Sequence, residues 1–122
     1  MFELTKSFTF DAGHTLEHHQ GLCSKPHGHT YRLMITLNSP TLNEEGSSKN
    51  MVMDFYDIGQ IVKPMLKDFF DHQWINETLE TDSPTVEFMA KWIYDHLKPQ
   101  IPLLTKVTLY ETQTSWASYF EH

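Results

Sequence analysis

An α+β fold built on an antiparallel sheet is the class this sequence predicts, and three observations predict it. Apolar and polar residues alternate near both ends of the 122-residue chain, the period of a strand with one buried face. Two stretches in the middle carry apolar residues at helical spacing. The strand-like runs are not interleaved with the helical ones, so antiparallel neighbours are expected rather than parallel crossovers.

The first strand rests on Phe2, Leu4, Phe8 and Phe10, with Glu3, Thr5, Ser7 and Thr9 between them and Lys6 breaking the apolar series. Residues 15–26 are polar, contain Gly21 and Pro26, and predict a long loop. Tyr31, Leu33, Ile35 and Leu37 then alternate with Arg32, Met34, Thr36 and Asn38 as a second strand. After the turn-rich "NSPTLNEEGSSKN", the run "MVMDF" predicts a short third strand. From Asp54, an N-cap residue type, Ile58, Ile61, Val62, Met65, Leu66 and Phe69 recur as one helix face, with Pro64 expected to kink it. In "TDSPTVEFMAKWIYDHLKP", Ser83 is the predicted N-cap, Pro84 suits the first turn and Pro99 lies past the end. Val86, Met89, Ala90, Ile93 and Leu97 form that helix's apolar stripe. "KVTLYET" and "WASYF" predict two last strands around a turn at Gln113-Thr114.

Length fits one domain, residues 1–122, with a core modest enough that association would add useful burial. The net charge is −7, and Arg32 is the only arginine beside eight lysines. That balance argues against nucleic acid and anionic membrane surfaces as partners. A single cysteine forms no internal disulfide, so nothing points to secretion. The first residues hold no apolar signal region, no window approaches a membrane span, and Met1 leads directly into a strand pattern. A cytoplasmic protein without a leader is expected.

Eight histidines stand against that one cysteine. His14 falls at the end of the first strand, and His27 and His29 at the start of the second. Two residues apart on an extended chain, His27 and His29 leave by the same face, and Gly28 allows close backbone approach between them. Antiparallel pairing would bring His14 beside them. Three imidazoles with an open fourth position suit a catalytic zinc. Two other readings fit the same residues: a closed structural shell with Cys23 as fourth ligand, or strand-end histidines that bind nothing. Asp71-His72 fits an acid orienting an imidazole, or a helix C-terminal interaction. Glu111 fits an exposed strand-end carboxylate or, if buried, a bidentate acceptor for an N–H and an amino group side by side.

Taken in order, "FTFDAGH", "CSKPHGHTY", "MVMDF", "FDHQWIN", "SPTVEFMAKWI" and "LYET" resemble the 6-pyruvoyl-tetrahydropterin synthase / 6-carboxy-tetrahydropterin synthase family over nearly the whole chain. The spacing from Cys23 to His27-Gly28-His29 looks like the bacterial carboxy-tetrahydropterin branch, which serves queuosine (7-deazaguanine) synthesis. Two positions depart from the family's habit: Gly13 stands where alanine is usual, and Asn50 where glycine is usual. The resemblance implies a tunnelling fold, with two helices on one face of the sheet. It implies a barrel closed by trimerisation and two trimers stacked as a homohexamer, with active sites between subunits. It implies zinc on His14, His27 and His29. It makes Cys23 the catalytic thiol, not a ligand, with Asp71 and His72 relaying protons. It places Glu111 on the pterin, with Thr112 and Thr85 near it. The implied reaction converts 7,8-dihydroneopterin triphosphate to 6-carboxy-5,6,7,8-tetrahydropterin, acetaldehyde and triphosphate. Lys25, Arg32 and Lys49 are the candidate counter-charges for the triphosphate. The alternatives are triphosphate elimination to 6-pyruvoyl-tetrahydropterin, a sepiapterin-cleaving side activity, and a non-catalytic zinc-binding protein.

Overall fold

The two longest period-two runs become the two longest strands. In the computed structural model, which describes residues 1–122, β1 (Phe2–His14) and β2 (His27–Ser39) pair antiparallel along their full length. β3 (Leu104–Thr112) joins β2, and β4 (Ser115–Phe120) folds back on β3 across the expected turn at Gln113-Thr114. The sheet order is β1-β2-β3-β4, so β1 and β4 are its edges.

One face of this sheet is the core. Phe10 and Ala12 of β1, Tyr31, Leu33, Ile35 and Leu37 of β2, and Leu104, Val107 and Leu109 of β3 are buried there. The helices α1 (Phe55–Met65) and α3 (Val86–Leu97) cover it with Ile58, Val62 and Met65, and with Met89, Ala90, Ile93 and Leu97. No helix is long and apolar enough to cross a membrane.

Asp54 caps α1 as expected, its side chain accepting from the Tyr56 N–H at 2.8 Å. Pro64 has no N–H for the Gln60 carbonyl, which weakens the ladder there. Two residues later the helix widens into a π-helical turn, Leu66–Phe70. The wider turn changes which aromatic faces inward: Phe70 is fully buried against Phe10, and Phe69 is left half-buried. A short helix, α2 (Ile75–Thr78), follows.

Two local expectations are corrected. "MVMDF" is not a strand; residues 51–54 form a bend between a turn and the α1 cap. Val52 and Met53 pack against the core from that bend, and a short apolar run carries no periodicity that separates the two cases. Helix α3 is capped by Thr85, whose hydroxyl accepts from the Phe88 N–H at 3.1 Å, not by Ser83. Pro84 therefore precedes the helix, and its free carbonyl is used elsewhere.

Candidate metal centre and active site

The β1–β2 register places His14 directly opposite His27, and Ala12 opposite His29. All three histidines thus extend the core face of the sheet at its open end, beyond Phe10 and Tyr31. Their ligand atoms all lie within 4.8 Å of one another. The rings stand nearly perpendicular, at 89° for His14 and His29 and 90° for His27 and His29.

Backbone carbonyls decide which nitrogens face the cluster. His14 is 1% exposed, and its Nδ1–H donates to the Pro84 carbonyl at 3.0 Å. The Nδ1–H of His27 donates to the Lys25 carbonyl at 2.7 Å. A carbonyl only accepts, so both Nδ1 atoms carry the proton and both Nε2 atoms are bare lone pairs. Yet those two Nε2 atoms face each other at 2.9 Å. Two lone pairs at that distance repel unless a cation lies between them. Burial pushes the pKa of His14 down, assisted by the charge of His27 and opposed by the Pro84 contact, so a proton is a poor occupant. The Nε2 of His29 is buried with no partner at all, and burial lowers its pKa as well, against the opposing charge of Glu111. The donor set fits a divalent metal: three imidazoles converge, and two are oriented by a second layer of carbonyls.

Glu111, half-buried near the end of β3, directs one carboxylate oxygen to 3.9 Å from His14 Nε2 and the other to 3.9 Å from His29 Nε2. The Tyr31 hydroxyl, 3.4 Å from His14 Nδ1, is held protonated by burial and by the charge of Glu111. A cleft of about 830 Å³ contains Glu111, Thr112, His29 and Arg32. The Arg32 guanidinium lies over the Tyr110 ring, 4.9 Å from its centre.

A second cleft, about 620 Å³, runs from His29 and Gly28 to His72 and Trp74. The π-helical turn delivers Asp71 to the free edge of β1, where its carboxylate accepts from the Asp11 N–H at 3.1 Å. The His72 Nδ1 lies 3.1 Å from the same Asp71 oxygen. His72 sits at φ 59°, a left-handed conformation held by its N–H on the Asp11 carbonyl at 2.6 Å. Its ring is 78% exposed, so its Nε2 is open to solvent.

The remaining candidates lie outside this convergence. Cys23 sits in a 3₁₀ turn, Leu22–Ser24, within the loop between β1 and β2, and is not in the ligand group. Thr85 lines neither cleft, and its oxygen is occupied in capping α3. The carbonyls of Pro84 and Lys25, which set the imidazole tautomers, had no signature in the sequence because every residue carries one.

Over residues 3–122 the chain matches the family described as 6-pyruvoyl tetrahydropterin synthase. It is 40% identical over 121 residues to a 6-carboxy-5,6,7,8-tetrahydropterin synthase of Synechocystis, covering 98% of this chain and 94% of that one. It is 35% identical over 142 residues to the protein of the same name in Haemophilus influenzae, covering 99% and 100%. The structure of Caenorhabditis elegans 6-pyruvoyl tetrahydropterin synthase superposes with a TM-score of 0.83 at 23% identity, over 99% of this chain and 96% of that one.

Proposed function

The chain belongs to the 6-pyruvoyl tetrahydropterin synthase family, and from that premise we propose that it is the lyase that converts 7,8-dihydroneopterin triphosphate and one water to 6-carboxy-5,6,7,8-tetrahydropterin, with release of acetaldehyde and triphosphate. The observation that carries this reading is the near full-length identity, 40% and 35%, to two relatives named for that product. Queuosine biosynthesis in the cytoplasm is the pathway proposed with it.

His14, His27 and His29 would hold zinc through Nε2. Bound there, zinc supplies Lewis acidity to the hydroxylated side chain of the substrate and acidifies the adjacent C–H bonds. Glu111 anchors the pterin, its two oxygens accepting the ring N–H and the neighbouring amino group. Cys23 takes a proton from the activated carbon at Sγ. Asp71 holds the proton of His72 on Nδ1, which leaves Nε2 to take and return a proton on the other side of the reacting bond. Thr112 lines the same cleft as Glu111 and is assigned to substrate binding; Thr85 lies outside both clefts and is assigned there on the family resemblance alone. Arg32 lines the cleft that holds Glu111 and Thr112 and suits the triphosphate. The thiol and the Asp71–His72 pair meet between subunits of a homohexamer, two stacked trimers that each close a barrel.

The test is product identity. Purified protein incubated with 7,8-dihydroneopterin triphosphate should yield acetaldehyde and a product with the mass of the 6-carboxy compound. A 6-pyruvoyl product without acetaldehyde would replace this reaction with the elimination. No turnover with zinc bound would favour a binding role.

A further inference from the structure

The free edge of β1 does not end in solvent near the site. The segment 71–76 runs along it as a stand-in for a strand. Asp11 is met by the Asp71 carboxylate and the His72 N–H. The Gly13 N–H donates to the Gln73 carbonyl at 3.2 Å. Thr15, the residue after His14, is met by a side chain instead: its N–H donates to Asn76 Oδ1 at 2.8 Å, and its carbonyl accepts from Asn76 Nδ2 at 2.8 Å. Asn76 thus supplies the last rung where no strand backbone reaches.

What Thr15 does next ties that rung to the thiol. Its hydroxyl donates to the Ser24 carbonyl at 2.8 Å, and the Leu16 N–H donates to the Cys23 carbonyl at 2.8 Å. The carbonyls of Cys23 and Ser24 are therefore gripped by residues 16 and 15. A second anchor joins the same loop to residue 82, through the Glu17 N–H on the Asp82 carbonyl at 3.1 Å and the exposed His18–Asp82 pair at 2.8 Å. That pair is solvent-screened and contributes little. The bonds of Asn76 are part-buried and matched donor to acceptor.

We infer that Asn76 is a positioning residue for the Cys23 thiol, acting through Thr15 to hold the loop that carries it; this rests on the reading of Cys23 as the thiol of the proposed reaction. The Asn76 side chain hydrogen-bonds Thr15 and no ligand histidine, and it lines neither cleft, so its route to the thiol runs through Thr15 and the loop. A mobile thiol loop lowers the fraction of time that Sγ is in place without changing the pterin anchor at Glu111.

Cys23 is the only cysteine, so alkylation of the native protein by iodoacetamide reports this loop and needs no pterin. Asn76→Ala, folded by circular dichroism, should alkylate several-fold faster than wild type, on the order of threefold or more, because local opening of the loop exposes the thiol. Its kcat should fall roughly 10- to 100-fold, with KM and metal per chain unchanged. Asn76→Asp keeps the acceptor for the Thr15 N–H but sets a carboxylate oxygen against the Thr15 carbonyl in place of the donor, and should also alkylate faster and turn over more slowly than wild type. If Asn76→Ala does not fold, the aspartate variant carries the same readouts. Thr15→Val cuts only the bond to Ser24 and should also speed alkylation. A folded Asn76→Ala with the alkylation rate and kcat of wild type overturns the inference, whatever its melting temperature. Faster alkylation in a protein whose wild type turns over no pterin supports the clamp and sinks the proposed reaction instead.

Discussion

At the scale of single residues, the two departures from the family's habit have local reasons. A Cβ on Gly13 would come within 3.1 Å of the Trp74 ring, so the tryptophan of this chain occupies space that an alanine there would contest. Asn50 sits at φ 66°, a left-handed conformation that glycine adopts freely and asparagine tolerates better than most residues. The metal and the thiol separate under mutation. His27→Ala should lose zinc by elemental analysis, because two imidazoles hold it poorly. Cys23→Ala should keep it, with turnover down by roughly 10²- to 10⁴-fold, as for loss of a positioned acid–base group. Zinc lost together with activity in Cys23→Ala would make the thiol a ligand. Acid should act on the same cluster. Burial holds the pKa values of His14 and His29 below the ordinary 6.5, so the unfolded chain takes up protons first as pH falls. Folding stability of metal-stripped protein is then fully present above 6.5 and declines below it. A urea midpoint no lower at about pH 5.5 than at about pH 7.5 would contradict this sign.

At the scale of elements, the starts of α1 and α3 are each fixed by one side-chain oxygen, and each is testable. Asp54→Ala and Thr85→Ala should each cost about 1 kcal/mol by loss of an N-cap, read as a lower urea midpoint with unchanged slope. If Thr85 also contacts substrate, its variant should raise KM where Asp54→Ala does not. The π-helical turn after Pro64 is the element with the most consequence for the site. It seats Phe70 in the core and ends at Asp71, whose N–H reaches back to the Leu66 carbonyl at 2.6 Å. Asp71 and His72 are thereby carried to the edge of β1 rather than past it.

At the scale of the whole molecule, the sheet has two edges of unequal completeness. Segment 71–76 covers β1 at its C-terminal end, while the rest of that edge and the outer edge of β4 have no partner in the chain. Phe2 at one edge and Trp116 and Phe120 at the other are exposed. Open edges beside exposed aromatics invite pairing with another copy, which agrees with the proposed hexamer. Light scattering at micromolar concentration should give six chains per particle. A monomer that turns over substrate would remove the barrel and the shared site together.

The alternation of residues 2–10 and 29–38 and the stripes of α1 and α3 were legible in the sequence because burial of one face imposes a period on any strand or helix. His27 and His29 were legible as candidates for a related reason, because a two-residue spacing on a strand sets a common face, and His14 joined them through the antiparallel pairing the strand pattern predicted. Asp71, His72, Glu111 and Cys23 each fitted a functional and an ordinary reading on local chemistry, and only the order and spacing of the family's motifs assigned their roles, since one carboxylate or one thiol has no period of its own. Tertiary structure alone decided which imidazole nitrogens are bare, because that depends on the carbonyls of Pro84 and Lys25, and one of these lies 70 residues from the ring it orients. It alone decided that "MVMDF" packs as a bend, that Thr85 and not Ser83 caps α3, and that Asn76 closes the edge of β1. These are outcomes of distant segments competing for the same hydrogen bonds and the same core, and local sequence carries no term for that competition.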